Sequence, residues 1–62
     1  MDFHIPAMSC GHCASVITQT VQQLDAQATV IVDLPTHQVT VHTAQDRQTV
    51  AQALAEAGYP PN

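Results

Sequence analysis

Apolar and polar residues alternate from Asp2 to Ala7, with Phe3 and Ile5 on one side and Asp2 and His4 on the other, which is the period of a half-buried strand. Pro6 ends it, because a prolyl nitrogen cannot donate to a ladder. Beyond Met8-Ser9-Cys10-Gly11-His12-Cys13 the period changes. Ala14, Ile17, Val21 and Leu24 recur at helical spacing with Ser, Thr and Gln between them, and predict a first helix. Alternation returns with Val30, Val32 and Leu34 opposite Ile31 and Asp33, then again with Val39 and Val41 after Pro35-Thr36-His37-Gln38, which predicts a hairpin. Thr43, three residues before Asp46, is expected to open a second helix through a capping box. Val50, Ala53, Leu54 and Ala57 share one face of that helix, and Gly58 is its expected C-terminal stop.

The order strand, helix, strand, strand, helix predicts an α+β chain of the ferredoxin-like βαββαβ type, a sandwich with two helices on one face of an antiparallel sheet. Its fourth strand would fall in Tyr59-Pro60-Pro61-Asn62, where two prolines predict that it is short or missing. The 62 residues are expected to form one domain, 1–62, with a thin core. A domain of this size buries only about 60% of the surface its unfolded chain exposes. The many alanines let helices lie close to the sheet but each adds little buried area.

Charge narrows the function. One Lys or Arg against five acidic residues gives a net charge of -4, which offers no basic surface to neutralise phosphates and excludes a nucleic-acid partner. Anionic membranes are equally poor partners. No apolar run approaches the roughly 20 residues of a membrane span, and the first residues lack the charged start and apolar stretch of a signal peptide, so a cytoplasmic location without membrane insertion is expected. Two cysteines three positions apart would staple almost no chain, and a reducing compartment would keep them as thiols. Metal or redox chemistry explains them better.

Cys10 and Cys13 fall where a loop enters the first helix, so free backbone N–H groups and the positive end of the helix dipole should favour thiolate over thiol. Gly11 and His12 are expected to let the backbone bend so that both sulfurs face one ion. Soft thiolates select Cu(I), Zn(II) and other soft ions over hard cations. A closed structural zinc site wants four ligands, usually from two such pairs, and this chain has one pair. Two sulfurs suffice for Cu(I), and an under-filled shell leaves room for an incoming thiolate from another protein, so the site suits transfer better than storage.

The run Ile5-Pro6-Ala7-Met8-Ser9-Cys10-Gly11-His12-Cys13, with Ile17, Val32-Asp33-Leu34 and Gly58-Tyr59, resembles the heavy-metal-associated domain family over nearly the whole chain. That family includes cytosolic copper chaperones and the N-terminal domains of copper-transporting P-type ATPases. The resemblance implies a soluble metallochaperone, not an enzyme, that binds one Cu(I) at Cys10 and Cys13. It further implies delivery by ligand exchange to a copper-transporting P-type ATPase or another Cys-x-x-Cys domain. It makes Met8 a core residue under the loop and places Tyr59 where its ring can shield the sulfurs. A monomer or a metal-bridged dimer fits the same chemistry. The chain departs from the family pattern in its truncated last strand and in its lack of lysine, so a docking partner should present a positive or neutral surface.

His12, between the cysteines, is an auxiliary ligand candidate for a metal of higher coordination. His4 and His42 fall on the outward face of strands that would be neighbours, where paired imidazoles could approach each other and take Zn(II) or Cu(II). His37 is expected to be a hairpin residue. Three rival functions remain at this point. One is carriage or sensing of another soft ion, such as Zn(II), Ag(I), Cd(II) or Hg(II), and another is a regulatory domain of a larger transporter. The third is thiol-disulfide exchange, since Cys-Gly-His-Cys is also an oxidoreductase motif. Such oxidoreductases usually place a tryptophan before the first cysteine, and this chain contains none.

Overall fold

The computed structural model describes residues 1–62. Strand β1 covers Asp2–His4, helix α1 Gly11–Leu24, strand β2 Thr29–Asp33, strand β3 Gln38–His42 and helix α2 Arg47–Glu56. The sheet is antiparallel with order β1-β3-β2, so the hairpin's second strand is central. Register follows the alternation in the sequence: Phe3 lies opposite Val39, Val30 opposite Val41, and Val32 opposite Val39. These residues face the helices, while Asp2, His4, Thr29, Asp33, Gln38 and His42 are exposed. The buried set of Phe3, Ile5, Met8, Ile17, Val21, Val39, Val41, Val50 and Leu54 forms one core between the sheet and the two helices.

The last predicted strand is reduced to one contact. Pro60 and Pro61 have no N–H to give, and the first residue that has one, Asn62, donates it to His4 O at 2.6 Å on the outer edge of β1. The result is the ferredoxin-like arrangement without an assigned fourth strand.

Two expectations are corrected. The cap of α2 is Asp46, whose carboxylate accepts the Thr49 N–H at 2.7 Å, and not Thr43. Thr43 instead donates its hydroxyl to the Asp25 carboxylate at 2.7 Å, tying the end of α1 to the entry of α2. His4 and His42 do not meet either. His4 sits opposite Gln38 and His42 opposite Thr29, so they lie at opposite ends of β3, about 13 Å apart by strand rise.

Helix α1 tolerates its threonines because Thr18 and Thr20 turn their hydroxyls back onto the carbonyls of Ala14 and Val16, at 2.9 and 2.8 Å. Helix α2 ends in a Schellman motif. The N–H of Tyr59 bonds to Leu54 O at 2.9 Å and that of Gly58 to Ala55 O at 3.1 Å, with Gly58 at φ 96°. A left-handed residue at this point turns the chain sharply, and the next side chain, Tyr59, is carried towards the start of α1.

Candidate metal centre

The loop between β1 and α1 is pinned at both ends. Met8 N–H closes a turn onto Ile5 O at 3.0 Å, around Pro6 and Ala7. Met8 itself is fully buried and anchors the loop in the core. Cys10 is then the N-cap residue of α1 in extended conformation, and its side chain makes no capping bond, which leaves the sulfur free for other work. Cys13, on the first turn, belongs to the buried face of α1 together with Ile17 and Val21.

The two sulfurs stand 2.9 Å apart, within hydrogen-bonding distance of each other. Cys10 is exposed and Cys13 is buried at its base. The Cys13 thiol is brought down from 9.0 to about 6, first by the hydrogen bond from Cys10, then by the Tyr59 hydroxyl and the backbone N–H of Ser9, with burial opposing. Tyr59 is pushed up in return, chiefly because its hydroxyl donates to the Cys13 thiolate. At neutral pH Cys13 is therefore mainly thiolate, with the Cys10 sulfur in hydrogen-bonding contact. The expected stabilisation of thiolate at the loop–helix junction is present at Cys13, and much of it comes from donors of the loop and from Tyr59.

A soft ion bridging both sulfurs needs more room than the thiol–thiolate pair. With metal–sulfur bonds of about 2.3 Å, the sulfurs would stand about 3.7 Å apart in a bent arrangement and about 4.6 Å in a linear one. The exposed Cys10, rather than the buried Cys13, is the side chain able to make that movement.

Gly11 does not bend the loop as expected. It begins α1 with no positive φ, and a Cβ placed there meets nothing within 4 Å, so no special backbone shape is required. His12 is exposed on the first turn of α1.

His37 is the residue that sequence reasoning undervalued. It adopts a left-handed conformation, φ 57°, at the end of the hairpin turn. Its carbonyl accepts the Ile5 N–H at 2.8 Å and its ring Nδ1 bonds to Met8 O at 2.6 Å, so one residue grips the cysteine-bearing loop at two points. The only signal in the sequence was indirect: antiparallel pairing of β1 with β3 places the hairpin turn beside the residues that follow β1.

Comparison with known proteins agrees with this geometry. The heavy-metal-associated domain family matches residues 2–60. Solved structures similar to the chain include a gold-binding protein, 47% identical with a TM-score of 0.97 over 100% of this chain and 95% of that one. They also include the copper chaperone Atx1 from Synechocystis, in a trimeric copper form carrying a histidine-to-tyrosine change. It is 39% identical with a TM-score of 0.98 over 100% of this chain and 98% of that one. The protein Atu1203 from Agrobacterium tumefaciens is 34% identical, with a TM-score of 0.89 over 100% and 97% of the two chains. No curated protein matches the sequence. With nearly its whole length matched, and with the paired cysteines at the loop–helix junction, the chain belongs to the heavy-metal-associated domain family.

Proposed function

We propose that this protein is a metallochaperone that holds one Cu(I) between Cys10 and Cys13 and passes it by ligand exchange to a partner domain. The observation that carries this reading is the asymmetry of the sulfur pair: Cys13 is buried and ionised near neutral pH, and Cys10 is exposed at 2.9 Å from it. Cys13 serves as the anchoring ligand and Cys10 as the ligand that a partner's thiolate displaces first. Two thiolates leave a d10 ion coordinatively open, so an incoming sulfur can bind before a resident one leaves. Met8 supports the loop from the core and Tyr59 shields the inner sulfur, while His12 is exposed on the first turn of α1 and no third His, Cys, Asp or Glu side chain joins the two sulfurs in a ligand group.

The proposed acceptor is a Cys-x-x-Cys domain of a copper-transporting P-type ATPase or a second such chaperone, and the proposed setting is the cytoplasm. A monomer, bridged through metal into a dimer at high loading, fits an exposed Cys10. No helix is long and apolar enough to cross a membrane.

A second reading is favoured by one observation. The 47% identical structure is that of a gold-binding protein. Au(I), like Cu(I) and Ag(I), is a soft ion that accepts two sulfurs, and the same pair would hold it. Competition of Cu(I) against Au(I), Ag(I) and Zn(II) under reducing conditions, with a chelator of calibrated affinity, separates the readings. Retention of Cu(I) over Zn(II) by a wide margin supports copper carriage, and displacement of Cu(I) by stoichiometric Au(I) would reassign the cargo.

A further inference from the structure

The His37 imidazole that grips Met8 O does so through Nδ1, and a carbonyl only accepts, so that nitrogen carries the proton. In the neutral ring the other nitrogen, Nε2, then keeps its lone pair. A histidine whose Nδ1–H is fixed on a backbone carbonyl while Nε2 stays available is the arrangement in which histidines commonly ligate metals, since the hydrogen bond sets both tautomer and ring orientation. A second imidazole stands beside it. The rings of His4 and His37 have centroids 6.3 Å apart and planes at 89°.

His37 also holds a conformation that costs something to keep. Left-handed φ is sparsely populated by residues other than glycine, and histidine is among the few side chains enriched there. His4 is exposed on β1, opposite Gln38, and its backbone is fixed by the sheet on one edge and by Asn62 on the other. The net charge of -4 draws cations to the chain generally.

We propose that His4 and His37 form a second metal site on the outer side of the sheet, for a borderline divalent ion such as Zn(II) or Cu(II), with water completing the shell. The site is distinct from the thiolate pair in chemistry, since imidazole nitrogen suits ions that need no sulfur. Its geometry is within reach. With metal–nitrogen bonds of about 2.0–2.1 Å, two imidazole centroids lie about 5.2 Å apart at a tetrahedral angle and about 6.4 Å apart across the ion. The observed separation lies at the long end of that range, and rotation of the exposed His4 side chain would turn its nitrogen to the ion and draw the rings towards the shorter, tetrahedral spacing. Occupancy would reach the first site mechanically, because the same His37 ring holds the carbonyl of Met8, two residues before Cys10.

The test is made first on the Cys10→Ser/Cys13→Ser chain, so that its outcome does not depend on the thiolate reading. Zn(II) titration followed by NMR should move the imidazole resonances of His4 and His37 together, saturating at one equivalent, and leave His42 unmoved. His4→Ala should weaken Zn(II) at least about tenfold. His37→Asn should do the same, because Asn keeps both the left-handed backbone and a donor to Met8 O while removing the ligand nitrogen. His42→Ala should change nothing. In the wild-type chain the second Zn(II) equivalent should give the same pattern, so the result stands even if the double-serine variant folds poorly. Resonances of His4 and His37 that stay still, or an affinity that survives both substitutions, would overturn the site.

Discussion

Cys10 and Cys13 are separated by one turn of chain and by a boundary of solvation, and that boundary decides what each sulfur does. Cys13 is surrounded by donors, foremost the Cys10 thiol and the Tyr59 hydroxyl, and titrates near 6. Replacing Tyr59 with Phe removes one donor, so the alkylation of Cys13, followed against pH in the reduced protein, should show a midpoint moved upward from about 6. An unmoved midpoint would mean that the hydroxyl plays no part. Met8 answers a different question. It is fully buried, so Met8→Ala should lower stability by about 2 kcal/mol or more while leaving Cu(I) affinity nearly unchanged. Collapse of affinity in a variant that still melts cooperatively would instead make the thioether a ligand.

At the scale of elements, the cysteine-bearing loop is held by three neighbours: the turn onto Ile5, the hairpin through His37, and the α2 terminus through Tyr59. The last of these depends on Gly58, where a Cβ would meet no atom within 4 Å but φ is 96°. Gly58→Ala is therefore a conformational change without a clash, expected to cost about 1 kcal/mol and to loosen Tyr59 over Cys13. Gly11→Ala should be silent in both stability and metal binding, because Gly11 is an ordinary helical residue. Thermal melts of the two variants distinguish the glycines, and equal losses would contradict this assignment of roles. The elements themselves were legible in the sequence because the apolar period changes cleanly at Pro6, Cys13 and Pro35. The paired cysteines were legible too, since three-residue spacing across a loop–helix junction brings both sulfurs to one end of the fold. What the sequence hid were contacts made between distant segments. Thr43 and Asp46 both precede α2, and only the position of Asp25 in space shows why the threonine bonds elsewhere. His4 and His42 share a face, yet register puts His37 beside His4 instead.

Over the whole molecule, a core of so few side chains leaves stability sensitive to single titrations. Cys13 has its pKa lowered on folding, so its contribution is complete above the unfolded value of 9.0 and is lost as pH falls through about 6. Stability of the reduced, metal-free chain should therefore rise from pH 6 to pH 9, and Cys13→Ser should flatten that rise. Asp25 and Asp46, both lowered by the hydrogen bonds they accept, add a separate loss only in the acid range below about 4. Chemical denaturation across these pH values would show the two losses separately, and a flat profile above pH 6 would contradict the thiolate assignment. The central claim, that the paired thiolates hold Cu(I), is tested most directly by anaerobic titration of Cu(I) against a calibrated chromophoric chelator. The wild-type chain should withdraw one equivalent and the Cys10→Ser/Cys13→Ser chain, shown folded by circular dichroism, should withdraw none. Undiminished Cu(I) uptake by the double variant would contradict it.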